Sequence, residues 1–189
     1  MSSLKRIHIY GHVSAQPQAL ANLFDAQLAS EVIAESDLAI FAINPAAGID
    51  QKTIDQWQAL SDYQLPRLVV VNELDGSDAD FEDAIMLANR VFDQLVTPYL
   101  VLHSDTGNPI ALISLSDLQI IDYSTNPPTT SASEVEHQEL VADFREEYLE
   151  EIAGAGAEAF SAGLLFPAIP IVISNGLGID VVKSFIDQL

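Results

Sequence analysis

Four consecutive apolar residues, Leu-Val-Val-Val at positions 68–71, constrain the fold of this chain more than any other feature. An uninterrupted apolar run of this length is typical of a strand buried on both faces of a parallel sheet. Asn72 follows the run directly, and Asp75 lies shortly after it. Ligands of open α/β sheets bind just beyond the carboxyl ends of the strands. Asn72 and Asp75 are therefore the first candidates for a functional site.

The same order of strand and helix occurs three times in the first half of the chain. Strands are predicted over residues 6–10, 38–43 and 68–71, and each precedes an amphipathic segment. The apolar faces of the three predicted helices are Leu20, Leu23, Phe24 and Leu28; Ile54, Trp57 and Leu60; and Phe81, Ile85, Ala88, Phe92 and Leu95. The first of these helices is expected to continue through residues 31–34. Repeated strand–helix units predict a parallel sheet with right-handed crossovers.

The pattern changes after residue 97. Short strands are expected over 99–103, 110–113 and 118–121, separated by turn residues as in an antiparallel meander. An irregular loop is predicted over 124–131, followed by an acidic helix whose apolar positions are Leu140, Phe144, Tyr148 and Ile152. A buried strand over 168–173 and a last helix return to the earlier pattern. We therefore predict an α/β core formed by residues 1–96 and 167–189, with an insertion over 97–166.

Charge narrows the possible partners. The chain has 28 acidic residues against 7 Lys and Arg, a formal net charge of −21. Direct nucleic-acid binding is unexpected because it requires clusters of basic residues. The acidity is explained either by solubility or by docking onto a basic partner.

The sequence lacks cysteine and long apolar segments. Without cysteine, a thiolate zinc site or a cysteine nucleophile is excluded. Neither a long apolar leader nor a membrane-spanning run is found, so we expect a cytoplasmic protein without a membrane partner.

Three motifs together resemble the G domain of translational GTPases, and elongation factor G in particular. Residues 11–20 (GHVSAQPQAL) resemble the phosphate loop G-H-V-D-x-G-K-T-T-L. Residues 72–75 (NELD) resemble the guanine-recognition motif N-K-x-D, and residues 174–176 (SNG) resemble the motif S-A-x. The resemblance implies a P-loop-NTPase-like, mostly parallel sheet reduced to about four core strands. It also implies that the insertion corresponds to the G′ subdomain, which in elongation factor G contacts the ribosomal stalk.

The phosphate loop departs from this pattern at its chemically important positions. Gln16 stands at the second glycine, Pro17 at the lysine that contacts the β- and γ-phosphates, and Gln18 at the Mg²⁺-binding hydroxyl. Among the positions that contact phosphate in the family, only Gly11 matches, and it is better explained as a turn residue. No switch I segment or D-x-x-G motif lies between the first helix and the strand at Leu38. Phosphoryl transfer would lack its main stabilising groups.

The resemblance retains part of a guanine site. It implies that Asp75 would accept from the guanine base, that Asn72 would support the loop, and that Ser174 would contact the base. Glu73 replaces the lysine that covers the base. The alternative is a turn that ends one strand and begins the next helix. No metal site is expected, because the acids near residue 80 lack a calcium-loop pattern and the four histidines are scattered.

These observations favour a pseudo-GTPase domain without enzymatic activity or cofactor, which binds a protein partner or assists translation at the ribosome or its stalk. The alternative is a residual guanine-nucleotide binder or weak GTPase that uses Asn72 and Asp75. In the family that the chain resembles, the segment that carries switch I and the D-x-x-G motif also forms two strands beside the first strand, and this chain lacks that segment. We therefore expect residues 6–10 to form an exposed edge that pairs with a second copy or a partner.

Overall fold

A six-stranded parallel sheet forms the centre of the computed structural model, which describes residues 3–76 and 80–189. Its strands are β1 (Ile7–Gly11), β2 (Gln27–Leu28), β3 (Leu38–Ile43), β4 (Arg67–Val71), β5 (Leu95–Val96) and, much later in the chain, β10 (Phe166–Pro170). They are arranged in the order β2-β1-β3-β4-β10-β5. The four longer strands lie side by side and a two-residue strand flanks them at each edge. This confirms the predicted α/β class.

The apolar runs of the sequence become the central strands because both faces of the sheet are covered. Every residue of β3 and β4 is buried, including Arg67. The helices following the strands are α1 (Pro17–Leu23), α2 (Gln51–Ser61) and α3 (Phe81–Val91). Trp57 and Leu60 of α2 are buried as predicted, and Phe41 of β3 contacts the ring of Trp57 at a centroid distance of 5.0 Å.

The prediction of a long first helix was wrong. Helix α1 ends at Leu23, and Asp25 takes a left-handed conformation (φ 51°) that turns the chain back along the sheet. Residues 27 and 28 then pair with His8 and Ile9, and the amide of Ala29 donates to the carbonyl of Ile9 at 2.9 Å. Leu28 therefore lies in a strand and is 47% exposed instead of packing on a helix face.

The predicted edge strand was wrong for the same reason. β1 has a neighbour on each side, because β2 occupies its outer edge and β3 its inner edge. The sheet ends instead at β2, which has only two residues. A strand this short offers few unpaired backbone groups, and short edge strands protect a sheet from further pairing. The basis for pairing between copies through residues 6–10 is therefore lost.

The third predicted helix also extended too far. Helix α3 ends at Val91, and Phe92 takes an extended conformation. Leu95 then belongs to β5, where it pairs with Phe166 of β10. Its burial comes from sheet formation and not from a helix face.

An antiparallel sheet lies in the chain between β5 and β10. It has the order β6-β7-β8-β9, with strands β6 (Tyr99–His103), β7 (Pro109–Ser114), β8 (Gln119–Asp122) and β9 (Thr129–Ala132). The first three confirm the predicted meander. The fourth corrects the predicted irregular loop, since Thr129–Ala132 pairs with β8 along its whole length. Four exposed Thr, Ser and Ala residues carry no apolar alternation that could have indicated a strand.

Helices α4 (Val135–Leu140) and α5 (Ala142–Ala155) follow this sheet, and α6 (Ile179–Asp187) ends the chain. Arg145 of α5 donates to the carbonyls of Leu115 and Ser116, at 3.0 and 3.1 Å, which attaches the helix to the antiparallel sheet. The last strand begins at Phe166 and ends at Pro170, slightly earlier than predicted. No helix among the described residues combines the length and hydrophobicity needed to cross a bilayer.

Candidate functional site

Three loops meet at the carboxyl ends of β1, β4 and β10. They comprise residues 12–16 after β1, the segment from Asn72 to Gly76 after β4, and residues 171–178 after β10. The parallel arrangement of the strands forces these loops to the same edge of the sheet. The three sequence motifs are therefore neighbours in space, although Asp75 and Ser174 are separated by 99 positions.

Asn72 connects the loop after β4 to the loop after β1. Its side chain is 2% exposed, and its Nδ2 donates to the carbonyl of Ala15 at 2.9 Å. Asn44, at the end of β3, makes a parallel contact because its Nδ2 donates to the carbonyl of Ser14 at 3.0 Å. Sequence reasoning did not single out Asn44. Its position directly after a buried strand was the available signal.

Asp75 and Ser174 lie in contact on the exposed side of the site. The hydroxyl of Ser174 donates to Oδ2 of Asp75 at 2.9 Å. Asp75 belongs to a short 3-10 helix, Leu74–Gly76, and both side chains reach solvent. The carboxylate therefore has an internal partner and still has acceptor capacity toward an outside group.

Gln16 and Glu73 join the first loop to the second through their side chains, with Nε2 of Gln16 donating to Oε1 of Glu73. Both residues have left-handed backbone conformations, with φ of 53° and 64°. Non-glycine residues adopt this conformation at a cost in free energy, so the surrounding contacts must maintain it. The glutamine and glutamate thus connect with each other at positions where the resemblance places a glycine and a lysine.

The loop after β1 leads through a short 3-10 turn into helix α1. Val13–Ala15 forms a 3-10 turn capped by His12, whose Nδ1 accepts from the amide of Ser14. Pro17 is the first residue of α1 and is buried. A proline at this position has no N–H to offer. Lys52 is the single cation lining the depression of about 670 Å³ beside this loop.

A second depression of about 530 Å³ adjoins Ser174 and includes residues near the antiparallel sheet. The hydroxyl of Tyr123 donates to Oδ1 of Asp180 at 2.5 Å. Burial, together with the neighbouring carboxylate, raises the pKa of Tyr123 far above its ordinary value, so it remains a neutral donor. Sequence reasoning missed this pair, because the two residues lie far apart in the chain and neither belongs to a recognisable motif.

The acidic segment near residue 80 has a structural role at the start of α3. Asp80 accepts from the amide of Asp83 at 2.9 Å, and Asp83 accepts from the amide of Asp80, which forms a capping box. Asp78 lies outside the described residues. Within residues 3–76 and 80–189, no group of three acidic or histidine side chains is placed to hold a metal ion.

The arrangement defines an α/β protein whose candidate site lies at the carboxyl edge of a parallel sheet. The chain is also similar in sequence to several known proteins. The chain is 28% identical over 167 residues to an elongation factor G-like protein of Mycobacterium tuberculosis (strain ATCC 25618 / H37Rv), covering 76% of this chain and 23% of that protein. It is 28% identical over 82 residues to the mitochondrial ribosome-releasing factor 2 of Drosophila melanogaster, covering 43% and 11% of the two chains. Elongation factor G of Gluconobacter oxydans (strain 621H) is 28% identical over 85 residues, with coverages of 45% and 12%.

A crystal structure of a protein from Thermus thermophilus has the same fold, with a TM-score of 0.68 and 22% identity. The match covers 82% of this chain and 26% of that protein. No protein-family profile matches the chain. The sequence similarities confirm the resemblance to elongation factor G, and the structural match confirms the α/β fold. The chain spans about a quarter of the length of the elongation factor G-like relatives.

Proposed function

We propose that this chain is a pseudo-GTPase domain related to elongation factor G, without catalytic activity, which acts by binding a protein partner. The observation that carries the proposal is Pro17, buried as the first residue of α1. The resemblance places at this position the lysine that contacts the nucleotide phosphates. Proline supplies neither the ammonium nor a backbone N–H donor. The residues present therefore do not fit a nucleoside triphosphate.

The contact of Gln16 supports the same conclusion. Gln16 bonds to Glu73 across the space between the two loops, and a carboxylate there disfavours an anionic ligand. These two side chains thus satisfy each other, as expected of loops that need no nucleotide to hold their shape.

Fluorescence titration with N-methylanthraniloyl-GDP and the matching GTP analogue, in the presence of Mg²⁺, tests the proposal. We expect no saturable binding and no release of phosphate from GTP above the buffer rate, whereas an active translational GTPase in the same assay gives both. Saturable binding that unlabelled GTP displaces, accompanied by phosphate release, would overturn it.

A second candidate function is guanine-nucleotide binding without hydrolysis. It is favoured by one specific observation, the hydrogen bond that brings Asp75 and Ser174 together at the site edge. Under this proposal, isothermal calorimetry detects GDP binding that Asp75→Ala abolishes. Asp105→Ala, an exposed substitution in a turn of the antiparallel sheet, is the matched control and should leave the affinity unchanged. Equal affinities of the two variants would exclude Asp75 as a base-binding residue.

The partner proposed for the domain is the ribosome or its stalk, contacted through the G′-like insertion of residues 97–166. Support comes from relatives named as elongation factor G and ribosome-releasing factor 2. Val135 and Leu140 of α4 are large apolar side chains that are 66% and 72% exposed, as expected for contact residues. We expect co-sedimentation with ribosomes that Leu140→Glu weakens. Leu4→Glu, at a position 92% exposed outside the insertion, is the control.

A further inference from the structure

A groove of about 310 Å³ lies between α3 and α5, away from the candidate nucleotide site. Leu95 and Leu100 line it and are buried, whereas Met86 and Phe144 line it from the two helices and are 59% and 44% exposed. Met86 and Phe144 thus extend the buried apolar lining of the groove to the surface, and contiguous apolar surface of this kind marks ligand or partner sites. The side chains of Asn72, Asp75 and Ser174 do not line this groove.

Three carboxylates join the apolar lining, from Glu82 on α3 and from Glu147 and Glu151 on α5. In the part of the chain that the structure describes, the ion pairs are Arg6–Asp37 and Arg67–Asp93, so no Lys or Arg neutralises these three acids. Partial burial raises the pKa of Glu151, and the charge of Glu147 raises it further. Glu82 is exposed to solvent, and partial desolvation together with the charge of Asp80 raises its pKa. An approaching cation would relieve this unfavourable environment.

We propose that the groove binds a small organic cation, with an ammonium or guanidinium group attached to an aromatic or branched apolar body. The apolar body packs against Leu95, Leu100 and Met86, and the cationic group reaches the carboxylates of Glu82 and Glu151. Phe144 and Tyr148 also line the groove, and aromatic rings attract cations. A volume of about 310 Å³ is at the lower end of the range for small-molecule sites.

The composition of the chain argues against a second copy as the occupant. With 7 Lys and Arg against 28 acidic residues, another molecule of this chain would bring negative charge to an already acidic groove. Repulsion between like charges disfavours that contact. The proposed site is independent of the pseudo-GTPase proposal, because its lining shares no residue with the loops after β1, β4 and β10.

Titration of the whole chain with 2-phenylethylammonium, followed by ¹H–¹⁵N correlation spectra, tests the site. We expect saturable shifts at groove residues such as Met86, Leu100 and Phe144, with a Kd on the order of 1 mM. Methylammonium supplies the charge alone and 2-phenylethanol the apolar body alone. Each should bind at least about tenfold more weakly, which corresponds to about 1.4 kcal/mol.

The Glu82→Gln/Glu151→Gln double variant should weaken binding of 2-phenylethylammonium about tenfold. Glu136→Gln/Glu146→Gln removes the same charge from exposed positions outside the groove and should leave the affinity unchanged. Equal binding of 2-phenylethanol, an equal loss in both double variants, or no saturable shifts would overturn the proposal. Binding confined to a lysine-rich amphipathic peptide would also overturn it, since the occupant would then be a protein.

Discussion

Arg67 occupies an unusual position for a cation, at 2% exposure in a central strand. Its guanidinium carbon lies 4.2 Å from the centre of the Trp57 ring and 4.3 Å from that of Phe166. Nη1 donates to the carbonyl of Trp57 and to Oγ of Ser61, and Nη2 lies 3.6 Å from Oδ2 of Asp93. Desolvation lowers the pKa of Arg67, but an arginine remains charged. The aromatic faces and hydrogen bonds thus offset part of the cost of its burial, while the buried Nε has no hydrogen-bond partner.

Replacing this arginine should destabilise the protein. We expect Arg67→Ala to lower the free energy of unfolding by about 3 kcal/mol, because it removes two hydrogen bonds and the stacked contacts and leaves a cavity. Urea unfolding followed by circular dichroism measures the change. Lys183→Ala, at an exposed position of α6, should change stability by less than about 0.5 kcal/mol. Similar effects of the two substitutions would contradict the role assigned to Arg67.

His8 provides a pH-dependent contribution to stability. The hydroxyl of Ser36 donates to the carbonyl of Ile33 at 2.8 Å, so the Nδ1 of His8, 2.6 Å from the same Oγ, acts as the donor to Ser36. Desolvation lowers the pKa of His8, partly opposed by Gln27. The unfolded chain then binds more protons than the folded one below about pH 6.5.

Acidification should therefore remove stability through this residue. The free energy of unfolding should fall as the pH drops below about 6.5, and His8→Gln should lack this component. We expect the stability difference between wild type and His8→Gln to shift against the wild type between about pH 7.5 and about pH 5.5. Asp37, whose pKa is lowered by Arg6 and to a smaller extent by His8, stays ionised over this pH range, and carboxylates remote from His8 affect both proteins alike. Parallel stability curves would refute the assignment.

Individual residues of the candidate site were partly accessible from the sequence. Asn72, Asp75 and Ser174 stand directly after buried apolar runs, and the topology of a parallel sheet brings such positions together. A turn and a base site would both place Asn72 and Asp75 at this edge, so the sequence pattern is the same for the two uses. The contacts of Asn44 and of Gln16 with Glu73 can be recognised only in the three-dimensional structure, because they depend on how two loops approach each other.

At the scale of elements, the turn between β10 and α6 depends on two glycines of contrasting surroundings. Gly176 and Gly178 have nearly the same positive φ, 80° and 82°. A Cβ at Gly178 would lie 1.9 Å from the carbonyl oxygen of Pro170, whereas a Cβ at Gly176 would have nothing within 4 Å. Gly176 is therefore required only for its backbone conformation. Gly178 is required also because a side chain at this position would not fit.

The two alanine variants separate these effects. Gly176→Ala should cost about 1 kcal/mol for the left-handed conformation. Gly178→Ala should cost at least about 3 kcal/mol, because backbone atoms must also move. Thermal and urea unfolding of both variants provide the comparison. Equal destabilisation would mean that the close approach to Pro170 relaxes without cost.

The two overlong helix predictions share one cause. Leu28 and Leu95 continue the apolar spacing of the preceding helix, so periodicity assigns both to helices. Each instead enters a two-residue strand at an edge of the sheet. Such strands are stabilised by pairing with β1 and β10, which are distant interactions without a local sequence signal.

At the scale of the whole molecule, the net charge of −21 governs the response to salt. Repulsion among the acids destabilises the compact state, and added salt screens it. We expect the Tm to rise by about 5 °C between about 20 mM and about 500 mM NaCl. The Glu136→Gln/Glu139→Gln/Glu146→Gln variant should show a smaller rise. A Tm that is independent of salt would indicate that the charges are already balanced locally.

The apolar runs are sufficient to predict the α/β class, the parallel central strands and the antiparallel meander, because long apolar runs can be buried only between covering layers. Residue identity is likewise sufficient to show that proline stands at position 17, where the resemblance places a lysine. The tertiary structure alone decided that β2 covers β1, that Asp75 meets Ser174, and that an acidic apolar groove separates α3 from α5. These features arise from contacts between segments that are distant in the chain. Local sequence patterns do not reveal such contacts or their contribution to stability.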